Sequence, residues 1–353
     1  MTTPSRVVVM NKNCLECNKL IENISKQDKI YCSKICNKYF NRKKAALKAR
    51  SAKWKSNLRL NTEFRYLVDQ CKRALTVQIL HGHSLETFIE TMDLVKNRPK
   101  GDVELCHIFP VKGKYSIGLF HCLNLFYGGA HQNRKFGNKY VTGGLAISKE
   151  DLEPKWSIPK GMKSDDVLVK IEEYLGDVLL KYLEMRPVKK SRKAPLVEKI
   201  LRFDSSLDFD MLMGRSLKAL MGQWANITHT RPYILHPGKE SKFLAYMDGI
   251  TRFIKYDKKN RKMLKGIRST MVIGYMALER TMQSTTYNRL FYVKYEPLIR
   301  IKYAQAMLKD PESWSVFKDL IYDTAFDVLH GATIDSKKFR KLVKSYLKFP
   351  DRA

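Results

Sequence analysis

Apolar residues at Phe64, Leu67, Val68, Cys71 and Leu75 recur at intervals of three and four, the spacing of one buried helix face. Residues 60–96 therefore predict two helices broken at "HGHS" (81–84), with Ser84 or a neighbour capping the second. "NRPKGD" at 97–102 reads as a loop. The pattern then shortens. "VELCHIFPV" alternates like a strand, 112–114 can turn, and "YSIGLF" can return as a second strand. "HCLNLFY" reads as a loop and "GGAHQNRKFGNK" as the opening of a short helix. Beyond a Pro- and Gly-bearing linker near 149–165, helical periodicity resumes over 166–185, 196–202, 207–224, 239–256, 261–282, 286–309, 312–330 and 337–349. The expected class is α+β: small units at the front and a large, mostly α-helical remainder.

The composition is that of a globular chain of 353 residues, 44% hydrophobic and 29% charged. No apolar run reaches membrane-spanning length and the start lacks the apolar segment of a secretory leader, so no membrane partner is expected. Charge changes the picture most. The 66 Lys and Arg exceed the 35 Asp and Glu, a formal net charge of +31. Such a surplus attracts polyanions, since each neutralised phosphate releases condensed counterions. Nucleic acid, with DNA foremost, is the expected partner, and a basic scaffold protein is the bland alternative.

Seven cysteines without a leader point to a reducing, cytoplasmic setting and to metal ligation rather than disulfides. Cys14 and Cys17 form a C-x2-C pair, and Cys32 and Cys36 a C-x3-C pair that fits one helix face. Four thiols within 23 residues predict a structural Zn²⁺ site. The second half, "YCSKIC", resembles that of small treble-clef zinc knuckles, which implies a folded knuckle and no reaction. From 38 to 59 there are nine Lys or Arg, Arg42, Lys43 and Lys44 among them, and no acid. This is either a solvated helix or one that tracks phosphates. Lys258, Lys259 and Arg261, within a second basic run at 252–268, pose the same choice.

Residues 103–139 hold three of the eight histidines and two of the seven cysteines. The order "CHIFP", "GLFHCLNL", "NRKFGNK" resembles the HNH, or ββα-metal, nuclease family. The resemblance rests on His107 in "HIFP", on Asn124 followed by Leu125, and on Asn133 before Arg134 and Lys135, nine residues after Asn124. It implies that His107 activates water for phosphodiester hydrolysis, a task suited to a neutral imidazole near pH 7. It implies further that Asn124 orients His107, and that Cys106 and Asn133, with His131 competing, hold one divalent cation: Mg²⁺, Mn²⁺ or Zn²⁺. Arg134 and Lys135 would bind the phosphate. Cys106 departs from the family's usual hard ligand, and Glu104, on the same strand face, is an alternative oxygen donor.

Other residues read as structural. His81 and His83 suit a turn, Cys71 the core and Cys122 packing; His121 suits positioning, and His229 and His236 a surface loop. The expected division is a knuckle and basic helix (1–58), a helical segment (59–100), the HNH-like unit (101–148) and a basic helical domain (149–353). One such unit makes one cut, so duplex cleavage needs a homodimer or sequential nicks. Knuckle, motif and charge together look phage-like. The rival from another class is a non-enzymatic nucleic-acid-binding or recombination factor with a degenerate site.

Overall fold

The computed structural model describes residues 12–21, 30–42, 57–99, 101–230, 242–282, 291, 293–298 and 306–349. At the front, strands β1 (Lys12–Asn13) and β2 (Leu20–Ile21) pair antiparallel, and helix α1 crosses 34–42. Helix α2 (Thr62–Ala74) starts where the Asn61 side chain accepts a bond from the Phe64 N–H at 3.0 Å. A 3₁₀ turn (Val77–Leu80) leads to α3 (Leu85–Lys96), which Ser84 and Thr87 open with a reciprocal capping box.

The strand at 103 forms as expected, but its partner differs. β3 (Val103–His107) pairs antiparallel with β5 (Leu125–Gly129), inside the stretch that reads as loop and helix start. β4 (Ser116–Gly118), within the expected return strand, pairs instead with β6 (Ala146–Ser148). The physical reason is burial on both faces. In β5, Leu125 and Phe126 point into different cores, so the segment needs no alternation to be a strand. Helix α4 (Ala130–Phe136) begins only after Gly129.

The remaining helices follow the apolar spacing with local breaks. The span 166–185 divides at Gly176 (φ 48°) into α5 (Ser164–Leu175) and α6 (Asp177–Met185). α7 (Ala194–Phe203) is followed by α8 (Phe209–Gly214) and α9 (Leu217–Thr228); the spacing predicts one helix here, but Ser216 caps a second. α10 (Lys242–Tyr256), α11 (Arg261–Met282), α12 (Trp314–Leu329) and α13 (Ser336–Ser345) follow among the described residues. The helix expected over 286–309 falls partly outside the described residues and ends in strand β7 (Met307–Leu308). β7 pairs with β8 (Leu347–Lys348), so the final basic helix stops at Ser345.

Among the described residues the apolar side chains gather in three cores. One joins α2, α3, α5 and α6 to Leu105 and Leu125 of the hairpin. A second joins α10 to α13 with Cys106 and Phe126, and a third lies among α7, α8 and α9. The hairpin β3–β5 is thus a wall shared by two helical cores. The first core draws on residues from Leu58 to Val188, crossing the expected boundaries at 100 and 149. No described helix is long and apolar enough to cross a membrane.

Candidate functional site

The β3–β5 register sets His107 opposite Leu125, Cys106 opposite Phe126 and Glu104 opposite Gly128. α4 follows β5 directly, so the order is strand, long loop, strand, helix. The motif asparagine, Asn124, sits at the mouth of β5, and its backbone carbonyl accepts the Ile108 N–H at 2.9 Å.

Asn124 is fully buried and uses its whole amide. Its Oδ1 accepts the N–H groups of Phe109 (2.9 Å) and Leu145 (3.2 Å). Its Nδ2 donates to the carbonyls of Leu119 (2.8 Å) and Phe109 (3.2 Å). These groups belong to loop backbone that would otherwise be buried unpaired. A Cβ on Gly144 (φ 74°) would lie 2.3 Å from Oδ1, so that position tolerates only glycine. Asn124 therefore bonds across the loop, as expected, but to the backbone that follows His107, at Ile108 and Phe109, and not to the ring.

His107 is half-buried as a residue, yet its Nε2 is closed off and has no hydrogen-bond partner. Its ring centroid lies 6.1 Å from that of Phe120. Burial, and then the positive charge of Arg73 on α2, pull its pKa down to about 3. The imidazole is neutral at physiological pH, with a buried nitrogen left over. Arg73 carries no mark in the sequence, because nothing in its spacing shows which of many cations faces a motif histidine.

On the other face of β3, Glu104 is the hub. Asn133 Nδ2 donates to its Oε2 at 2.7 Å, and Arg134 forms a 3.0 Å ion pair with its Oε1. Glu104, Asn133 and Arg134 are brought together. Cys106 is placed otherwise: its thiol is buried among core side chains near Gly128, and burial followed by the Glu104 charge pushes its pKa up. His131 is exposed on α4, and no hydrogen bond or ion pair joins it or Cys106 to Asn133 among the described residues. The two are not assembled as ligands with Asn133, because Cys106 looks into the core and His131 looks into solvent. Lys135 is exposed and borders a small cavity with Asp323 and Asp327.

The other histidines are structural. His83 hydrogen bonds with the Phe120 carbonyl (2.9 Å) and stacks on His121, with centroids 4.6 Å apart. His81 meets the Tyr174 hydroxyl at 3.1 Å, and His229 ends α9. His330, which no sequence pattern singles out, packs on Phe126, Phe136 and Phe326. Burial lowers the pKa of His83 and of His330 to about 4 each, with the charge of His121 adding to the effect on His83. His236 lies outside the described residues.

A second constellation lies in the N-terminal unit. The thiol sulfurs of Cys14, Cys17, Cys32 and Cys36 are all within 4.8 Å of one another and can hold a metal ion. Cys17 to Cys32 and Cys32 to Cys36 are each 3.4 Å. The Cys17 backbone N–H leads the effects that lower the Cys14 pKa to about 6, while the neighbouring thiols, Cys17 first, raise Cys32 to about 12. Thiols so crowded cannot all ionise without a cation between them. Among the described residues no other group of three His, Cys, Asp or Glu is gathered this way.

Of the basic candidates, Arg42 is exposed on α1, while Lys43 and Lys44 lie outside the described residues. Lys258, Lys259 and Arg261 are exposed at the α10–α11 turn. Arg252, the first cation of that run, is instead turned inward, donating to the Cys122 and Leu125 carbonyls and braced by Glu90 at 3.9 Å. It anchors α10 to the Asn124 loop, so this member of the run faces the fold rather than a phosphate. No family model, curated protein or solved structure matches the chain.

Two outcomes follow from this geometry. Asn124→Ala leaves four loop groups without partners and is expected to cost about 2–5 kcal/mol in urea unfolding, more than an isolated hydrogen bond. The second concerns acid. His83, His107 and His330 have folded pKa values below the free imidazole value, so the unfolded chain binds more protons between about pH 4 and 6.5. Their contribution is complete above pH 6.5 and is lost as pH falls through that window, at up to about 1.4 kcal/mol per pH unit for each histidine. Unfolding followed from pH 7 to 5 should show this slope, and His330→Phe, which keeps the ring packing, should flatten it by about one proton.

Proposed function

We propose that this chain is a metal-dependent endonuclease of the HNH type that hydrolyses DNA phosphodiester bonds. One observation carries the reading: the motif histidine ends the first strand of a hairpin with a buried, unpartnered Nε2, beside a loop fixed by the motif asparagine. Asn133, the third motif residue, stands on the helix that follows and reaches back to Glu104 on that first strand. The order strand, loop, strand, helix supports the reading, although the second strand is Leu125–Gly129 and not the return strand expected from the sequence.

In this reading the His107 Nε2, closed off in the free protein, is uncovered when substrate docks and then accepts the proton of the attacking water. A pKa near 3 makes a weak base in the free protein. The negative charge of a docked phosphate favours the protonated imidazole and moves that value upward. Glu104 and Asn133 offer a hard divalent ion a carboxylate and, after rotation of the side chain, an amide oxygen. They do so from the face of β3 opposite His107, so the reading requires ion and base to meet at one phosphate across that strand. Cys106 does not suit the ion, because a core-buried thiol resists ionisation. When bound, such an ion offsets the charge that gathers on the leaving oxygen. Arg134, released from Glu104, and Lys135 would then face the phosphate. At the knuckle, four thiols with no oxygen donor favour Zn²⁺ in a structural role.

The competing reading is a nucleic-acid-binding factor that does not cut. The Asn133–Glu104–Arg134 network favours it, because it already engages the residues that would hold the ion. A plasmid-nicking assay with Mg²⁺ or Mn²⁺ separates the two. The nuclease reading expects nicks that fall at least ~100-fold in His107→Ala, the scale of removing a general base. Cleavage unaffected by that substitution sinks the assignment, and tight binding without cleavage selects the rival. Metal analysis of the purified chain should give about one zinc per molecule, lost in Cys17→Ser with little change in unfolding of the rest.

A further inference from the structure

The segment between α6 and α7 lies outside the candidate site. It runs Arg186, Pro187, Val188, Lys189, Lys190, Ser191, Arg192, and as sequence it is only a helix break. In the structure it is a fixed strap. Asn57 Nδ2 donates to the Val188 carbonyl at 3.1 Å, Asn61 Nδ2 to the Lys189 carbonyl at 3.0 Å, and the Ser191 N–H to the Leu60 carbonyl at 2.9 Å. Val188 is buried in the core below, while Lys189, Lys190 and Arg192 stand in solvent.

The strap borders a groove of about 540 Å³ at the start of α2. Lys96, Arg186, Lys189, Lys190 and Arg192 line it, against one carboxylate, Glu63. Arg186 is tied to Asp93; among the described residues the other four cations have no ion-pair partner. A folded protein does not gather like charges around a concavity for stability, because each repels the next. A concave cationic surface on a rigid backbone suits a polyanion.

The groove also connects to the candidate site. Lys96 ends α3, and β3 begins seven residues on, at Val103. Arg98 just beyond α3 and Arg73 in the last turn of α2 are both exposed, and Arg73 is the cation whose charge reaches His107. From Thr62 at the groove to Arg73, α2 rises about 16 Å, the axial length of roughly five base pairs.

We propose that a DNA backbone lies along α2, with the 186–192 strap as a distal phosphate clamp and Arg98 and Arg73 leading from it to His107. The proposal rests on the nuclease reading only in taking DNA as the polyanion. It is tested on the full chain in a His107→Ala background, so that the probe stays intact. Binding of a fluorescent duplex of about 20 base pairs is measured by anisotropy from about 50 to 300 mM salt. The triple variant Lys189→Ala, Lys190→Ala, Arg192→Ala should bind about tenfold more weakly at roughly 100 mM salt, with a salt slope shallower by about 2–3, close to one unit for each phosphate no longer neutralised. The control is Lys337→Ala, Lys341→Ala, Lys344→Ala on α13, which removes the same charge and should change the slope by less than about one unit.

An unchanged slope in the strap variant overturns the proposal, as does an equal loss in the control. So does equal competition by polyglutamate that is itself lost with the strap. Unchanged thermal unfolding of both variants shows that the fold is intact. Failure of the two ideas is distinguishable. A parent chain that never nicks while the strap variant loses binding leaves the clamp standing without the hydrolase; nicking by a parent chain whose strap variant binds normally does the reverse.

Discussion

The buried amide of Asn124 is the constraint on which the rest of this architecture depends. Between β3 and β5 the chain travels seventeen residues without regular pairing to either strand, and much of that path is buried. Loop backbone inside a protein must find partners or lose about one to three kcal/mol per orphaned group. A single side chain makes four such bonds here, two as acceptor and two as donor. It joins the end of β3 to the approach to β5 and to the Gly144 turn. The position of His107 is a consequence, since it is the last residue of β3 before that junction.

The hairpin so formed is not a surface module. Its two faces belong to different helical cores, and long-range polar bonds rivet it to both. Tyr246 of α10 accepts the Gly129 N–H at 2.8 Å, Tyr127 donates to the Leu94 carbonyl at 2.6 Å, and Lys242 pairs with Asp102 at 2.9 Å. Arg252 holds the carbonyls on either side of Asn124. Residues far along the chain therefore fix the geometry of a site built from one short segment. Packed cores shift between discrete arrangements rather than bending smoothly, so a site built this way keeps its shape. In the nuclease reading proposed above, precision of that kind would place the proton acceptor against a phosphate.

Much of this is legible in the sequence, and the failures have physical causes. The Ser84 cap, the α2 and α3 faces and the span of α11 follow from local spacing and capping, which a chain segment carries by itself. The cysteine cluster is readable because thiol spacing alone restricts how four sulfurs can meet. β5 escapes notice because burial on both faces erases the alternation that marks a strand, and its glycines imitate a turn. Cys106 is a candidate ligand by its position in a motif; its burial depends on α10 and α12, which no local pattern reveals. Arg252 passes for a solvated cation for the same reason. The motif order His107, Asn124, Asn133 is visible, but not the Glu104 hub, which exists only once β3 and α4 are packed.

The electrostatics around His107 tie the two functional proposals together. His107 is a neutral imidazole held down by burial and by Arg73. Arg73 adds to burial in suppressing protonation in the free protein, which on its own works against a base. The charge of Arg73 also attracts a polyanion, and a phosphate arriving beside it cancels the smaller, electrostatic part of the suppression, burial being the larger. Removing a cation's influence and adding an anion's both raise the imidazole pKa toward the range where proton transfer is efficient. Binding and activation then share one cause, because the charge that recruits the backbone is the charge that the backbone cancels. A cationic surface remote from His107 would recruit DNA equally well and leave the base unchanged, so in the proposed arrangement it is Arg73 that links recruitment to the base.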